Sequence, residues 1–258
     1  MLRCPICFKP LALEGKTYRC ENNHCFDVSK AGYVNLSRKQ SAAGDNKAMI
    51  QARTRFLEHG YYGFFRQAVM DLIEKIHPEV LVDLACGQGW YTREFAKRAK
   101  TTYGVDLSKP AVEYAAKHDH ESSYLVASIF DLSFDDESVD VMTCLFAPVP
   151  AKEAARVLKK DGLLITAGPG VHHLEGLKSV LYDKVRLNDE PKNVDEFHLK
   201  DRFVIEQEIV VEDPIDLLAM TPYAYRTPKE GVQRLEKQTN LKTPAQFVIS
   251  VWEKNHES

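Results

Sequence analysis

No uninterrupted apolar run in this chain approaches the roughly 18 residues that a membrane-crossing helix needs. The first residues, Met1-Leu2-Arg3-Cys4-Pro5, lack the apolar core of a secretory leader, so the expected compartment is the cytoplasm. Excess positive charge is missing as well. The chain sets 34 Lys/Arg against 37 Asp/Glu, a net of −3, which argues against a uniformly basic nucleic-acid binder. With 44% apolar and 28% charged residues it is not wholly disordered, collagen-like or coiled-coil. Its 258 residues suit one large domain or two modest ones, at roughly 150 residues per domain.

What is present is unevenly distributed. Residues 1–60 hold ten Lys/Arg and five Asp/Glu, a net of +5, whereas the remaining 198 hold 24 and 32, a net of −8. A basic front joined to an acidic body predicts two modules with different partners. Cysteine is scarce beyond the front: Cys4, Cys7, Cys20 and Cys25 crowd the first 25 residues, and only Cys86 and Cys144 follow. In a cytosolic protein such a cluster points to a metal sooner than to disulfides. A Cys4-x2-Cys7 knuckle lets two thiolates grip one ion from a tight turn, and Cys20-x3-His24, twelve residues on, completes a tetrahedron from a returning hairpin. Residues 10–19 read as that hairpin, two short strands turning at Glu14-Gly15-Lys16. The fourth ligand is open between His24 and Cys25. Four protein ligands leave no position for chemistry, so the zinc is structural.

From about residue 80 strand and helix signals alternate, as in a parallel α/β sheet. Residues 80–85 form a short buried strand ending in Cys86-Gly87-Gln88-Gly89, and a helix is expected over residues 90–98. Glycines at such a turn let a ligand approach the backbone closely at the carboxyl end of the sheet. Residues 102–106 form a second strand ending in Asp106, 23 residues after Asp83, where an acid can accept both hydroxyls of a ribose. A dinucleotide fingerprint would need a third glycine where Thr92 stands, and Asp83 would repel a pyrophosphate. The same carboxylate suits the cationic, phosphate-free S-adenosylmethionine. Further strands are expected at residues 124–128, 139–146 and 163–167, a helix at 151–160 stopped by Asp161-Gly162, and a closing pair of strands at 203–211 and 247–252.

Asp83-x2-Cys86-Gly87-x-Gly89 with Asp106 behind it resembles the cofactor motif of class I (Rossmann-like) methyltransferases, with Ala85 where that family often has its first glycine. Other motifs are more specific. They include Cys4-Pro5-Ile6-Cys7, Lys30-Ala31-Gly32-Tyr33-Val34-Asn35-Leu36, Gln51-Ala52-Arg53-x2-Phe56-Leu57-x2-Gly60-Tyr61-Tyr62, Gly168-Pro169-Gly170-x-His172-His173-Leu174 and Met220-Thr221-Pro222-Tyr223-Ala224-Tyr225-Arg226. Together they resemble the bacterial 23S ribosomal RNA guanine-N1 methyltransferases, a family with an N-terminal zinc ribbon and a class I catalytic domain.

That resemblance implies an α/β fold with a zinc-binding ribbon over residues 1–36, a basic linker and helix over 37–60, and a methyltransferase domain over 61–258. It implies Zn²⁺ on Cys4, Cys7, Cys20 and His24, with Cys25 a bystander. It implies S-adenosylmethionine held by Tyr62, the Gly87-Gln88 turn and His173, beside the motif residues Asp83, Gly89 and Asp106. Ser128 stands where many relatives carry an acid for the adenine amine. The implied partner is a 23S rRNA stem-loop, gripped by the ribbon and its basic residues Arg3, Lys9, Lys16, Arg19, Lys30, Arg38, Lys39, Lys47, Arg53 and Arg55, and the implied assembly is a homodimer. Tyr18, Phe26 and Tyr33 read better as core than as base-stacking aromatics. Guanine N1 lies on the Watson–Crick edge and carries a proton, so the base must be unpaired or flipped out and a proton acceptor must be near. His172, His173, Asp131 and Asp135 are candidates for that acceptor, and none stands out. Two other readings use the same residues: a methyltransferase of a small molecule with the ribbon as scaffold, and a zinc-ribbon RNA- or protein-binding factor whose Rossmann-like body has lost catalysis.

Overall fold

The structure, a computed structural model, describes residues 2–38 and 47–255. The composition of residues 38–46, with Ser41-Ala42-Ala43-Gly44-Asp45, reads as a flexible linker that orders on binding, and apart from Arg38 it lies outside the described residues, as does the side chain of Lys47.

The front of the chain is a three-stranded antiparallel sheet of β1 (Ala12–Glu14), β2 (Thr17–Arg19) and β3 (Cys25–Asp27). The β1–β2 turn is the hairpin expected from the sequence, with Glu14 opposite Thr17 and Gly15 at φ +63°. So few residues cannot build a core alone, and this sheet borrows one. Leu11, Tyr18, Phe26 and Val28 pack against the body cluster that holds Tyr103 and Phe134, and Leu2 bridges to Phe134. Tyr18 and Phe26 are partly buried core-packing side chains, and Tyr33 is buried in a third cluster with Val112 and Tyr124.

Strand β4 (Tyr33–Asn35) leaves the ribbon and joins the large sheet, parallel to β7. Helices α1 (Lys47–Glu58) and α2 (Gly63–Ile76) follow, then the alternating series: β5 (Val80–Leu84), α3 (Thr92–Phe95), β6 (Thr101–Asp106), α4 (Lys109–His118), β7 (Ser123–Val126), β8 (Val139–Leu145), α5 (Ala151–Val157) and β9 (Leu158–Pro169). The chain closes with α6 (Glu175–Leu181), β10 (Phe197–Val211), α7 (Pro214–Ala219), α8 (Lys229–Glu236) and β11 (Leu241–Lys254). The sheet order is β10-β11-β9-β8-β5-β6-β7-β4, parallel from β9 to β4, with β11 and β10 antiparallel. Period-two alternation builds its two faces. Leu81, Val141 and Ile165 enter a cluster with Phe65, Ile73 and Phe247, whereas Val82, Met142 and Leu164 enter one with Phe134 and Trp252.

The strands expected at 163–167, 203–211 and 247–252 are longer than the sequence predicts, and two helices are shorter. The helix expected to run to Lys160 ends at Val157, because Leu158 is fully buried opposite Val139 and already belongs to β9. Sheet burial there outweighs the helix propensity of Lys159 and Lys160. The helix expected over residues 90–98 is one α-turn, α3, followed by a 3₁₀ turn over Ala96–Arg98.

Candidate active site and metal centre

At the tip of the ribbon, Cys4, Cys7, Cys20 and His24 bring their ligand atoms within 4.8 Å of one another. Cys7 Sγ lies 3.6 Å from Cys20 Sγ, and His24 Nδ1 lies 3.5 Å from the sulfurs of both Cys4 and Cys20. A tetrahedron with Zn–S of about 2.3 Å and Zn–N of about 2.0 Å has S···S edges of about 3.8 Å and S···N edges of about 3.5 Å, so the donor set fits zinc. A backbone hydrogen bond from Lys9 holds the Cys7 thiol down at about 6, favouring its thiolate, while burial raises Cys4 despite the Ile6 N–H that donates to its Sγ. Cys25, left open by spacing alone, is exposed and donates to the Asn23 carbonyl, outside this cluster.

A cavity of about 960 Å³ opens at the carboxyl ends of β5, β6 and β8. Its floor is the turn after β5, where Ala85, Gly87 and Gly89 have φ of +56°, +55° and +77°. Ala85 thus holds the left-handed conformation that glycine adopts without strain. Gly87 N–H donates to Asp106 Oδ2 at 2.9 Å and Ser108 N–H to Oδ1 at 2.7 Å, so the carboxylate is aimed at the turn. Asp83 is buried, accepts the hydroxyls of Thr92 and Thr143 at 2.6 Å each, and is pushed up to about 6 by desolvation. The Thr92 that breaks the dinucleotide fingerprint therefore clamps the acid of the motif.

Of the residues expected to hold the cofactor, Tyr62, Asp83, Gly87, Gln88, Asp106 and His173 line this cavity. Gln88, another lining residue, is buried with its Nε2 unpartnered. Tyr62 and His173 approach each other at 3.4 Å, Oη to Nε2, and burial pushes His173 down to about 4, leaving it neutral at pH 7. Gly89 and Ser128 are not in the lining. A Cβ on Gly89 would meet Tyr124 Oη at 2.6 Å, so the glycine serves close packing. Ser128 Oγ accepts the Phe130 N–H. Among the acceptor candidates only His173 reaches the cavity. His172 pairs with Glu175 and Asp131 with Arg38.

The cavity also has walls that sequence reasoning did not assign: Met49, Arg53 and Leu57 from α1, Trp90 and Tyr91 after the glycine turn, Phe146-Ala147-Pro148 after β8, and Met220, Thr221 and Tyr223. Arg53, Leu57, Met220, Thr221 and Tyr223 fall within the longer motifs quoted above, whereas the others carry no such signal. The lining thus combines an acid, a polar glycine turn and aromatic walls.

Comparison with known proteins agrees with both halves. A family model described as "RlmA, N-terminal" matches residues 2–41, and one described as "Methyltransferase domain" matches residues 82–166. The 23S rRNA (guanine(748)-N(1))-methyltransferase of Streptomyces fradiae is 34% identical over 70% of this chain and 67% of its own. A protein of Bacillus subtilis named as a putative 23S rRNA (guanine-N(1)-)-methyltransferase is 30% identical over 92% of this chain and 91% of its own. Among solved structures, the YcgJ protein of Bacillus subtilis superposes with a TM-score of 0.52 at 17% identity, covering 74% of this chain and 98% of that one, a likeness of fold. With the zinc donor set and the methyl-donor cavity joined in one chain, the protein belongs to the family of 23S rRNA (guanine-N1)-methyltransferases.

Proposed function

We propose that this chain transfers the methyl of S-adenosylmethionine to N1 of a guanine in a 23S rRNA stem-loop, with the zinc ribbon as an RNA-recognition module. The carrying observation is that likeness to the Bacillus subtilis relative runs over 92% of the chain, ribbon and body together. The reading divides the chain into a ribbon over residues 1–36, a basic connection over 37–60 and a catalytic domain over 61–258. It makes the assembly a homodimer and the compartment the cytoplasm. No described helix is long and apolar enough to cross a membrane.

S-adenosylmethionine, when bound, supplies an electrophilic methyl on a sulfonium. The chain's work is to hold donor and acceptor in line, about 3 to 3.5 Å apart, and to exclude water. Asp106, fixed by two backbone N–H groups, is the acid for the ribose hydroxyls in this reading. Gln88 offers its unpartnered amide, and the Tyr62–His173 pair forms part of the wall. Asp83 acts through Thr92 and Thr143, holding the turn's approach to the sheet. We assign no general base.

Incubation of the zinc-loaded protein with undermethylated 23S RNA and labelled donor, followed by mapping of the modified nucleotide, tests the reading. Label at guanine N1 within one stem-loop is expected. Label at another atom, or transfer only to a small molecule, overturns it.

A further inference from the structure

The cavity has an unusual charge inventory. Two carboxylates line it, Asp83 and Asp106, and His173 is neutral. Among the described lining residues the sole lysine or arginine is Arg53, from α1. Its Nη1 lies 3.8 Å from where a Cβ would stand on Gly87, so the guanidinium hangs over the glycine turn. The sequence reading grouped this arginine with the phosphate contacts of the basic front, but the fold turns it inward.

S-adenosylmethionine brings one carboxylate of its own, on its amino-acid end. In a cavity that already holds two acids, that group needs a cation, and a guanidinium offers two parallel N–H donors matched to carboxylate geometry. We propose that Arg53 is the anchor for the cofactor's carboxylate, with the glycine turn at its back. This rests on the cavity being the methyl-donor site.

The surrounding structure holds α1 for such a task. Arg55, two residues on, forms a two-pronged ion pair with Asp216 of α7, at 2.6 Å and 2.5 Å. At the helix end Glu58 pairs with Arg93 of α3, the helix that follows the glycine turn, at 2.7 Å. Ile50, Ala52, Phe56 and Leu57 are buried and fix α1 against the body. Arg53 is thus carried on a helix pinned on two sides, and Asp216 is a positioning residue for it.

The test is a cycle on both protein and ligand, read by calorimetry on the full zinc-loaded chain. The probes are S-adenosylhomocysteine and its decarboxylated analogue. A charge-assisted pair predicts that the wild type prefers the intact ligand by roughly 10- to 100-fold, and that Arg53→Gln reduces this to under roughly threefold while binding the decarboxylated analogue as the wild type does. Arg53→Lys is expected to keep part of the preference, and it serves if Arg53→Gln fails to fold. An equal preference in wild type and Arg53→Gln overturns the proposal, as does a wild type that does not discriminate between the ligands. So does a variant that loses RNA affinity with its ligand preference unchanged, which would make Arg53 a phosphate contact. Neither probe is RNA, so a failure to find guanine N1 methylation leaves this result standing and is read separately.

Discussion

At the scale of single residues, the motif acids do different physical work. Asp106 is half-buried and is oriented by two backbone N–H donors. Asp83 is wholly enclosed, and burial outweighs its two threonine donors, raising it to about 6. An acid whose folded value exceeds its unfolded value near 3.8 makes the native state bind more protons between the two. Stability contributed by the neutral form is therefore lost as pH rises through about 6. Between pH 5 and pH 7.5 this costs the wild type about 1 kcal/mol that Asp83→Asn does not lose. Thermal melts at both pH values check it, and parallel curves for the two proteins would show that Asp83 is not held this way. Asp83 and Asp106 were both legible in the sequence, because they stand at strand ends in a fixed order with glycines. The inward turn of Arg53 was not, because nothing in its neighbours distinguishes a cavity arginine from a surface one.

At the scale of elements, the glycine turn and the ribbon each make a prediction. Gly89 sits at φ +77° with Ala115 Cβ and Tyr124 Oη within 2.9 Å of the position a Cβ would take. Gly89→Ala combines left-handed strain with overpacking between α4 and β7, and is expected to cost about 2–4 kcal/mol in denaturant unfolding. Less than about 1 kcal/mol would mean the turn shifts freely. The ribbon leans on Phe134 and Tyr103, on the sheet face away from Tyr62 and Phe247. Loss of its metal should therefore unfold the ribbon without emptying the cavity of function. Cys20→Ala is expected to release zinc and weaken RNA binding by roughly tenfold or more, while S-adenosylhomocysteine affinity stays within about twofold. Unchanged RNA affinity in the metal-free variant would remove the ribbon from recognition. The hairpin was readable from Glu14-Gly15-Lys16 between paired ligands. The early end of α5 was not, because Leu158 becomes a strand residue only when Val139 lies beside it.

For the whole molecule, the charge asymmetry takes on a different meaning once folded. Arg3 pairs with Asp136, Arg38 with Asp131 and Arg55 with Asp216, each joining the basic front to the acidic body, and Lys9 and Arg19 pair with Glu21 and Glu14. Part of the front's +5 therefore fastens the two modules together. If all ten basic residues met phosphates, the slope of log K against log salt would be about −7 for single-stranded RNA. With these pairs intact the expected slope is about −2 to −4. A filter-binding salt series measures it, and a slope steeper than about −6 would mean that RNA displaces the carboxylates.

The sequence by itself determined the zinc ligands short of the choice between His24 and Cys25, the alternating α/β order, and the glycine turn with its two acids. These are local patterns, set by spacings that one turn or one strand imposes. The tertiary structure alone decided which neighbour of the His24-Cys25 pair meets the other three ligands, that β4 completes the catalytic sheet, and that α1 brings Arg53 over Gly87. Those outcomes depend on contacts between residues far apart in the chain, where burial and the pairing of charges select among arrangements that the local sequence leaves equal.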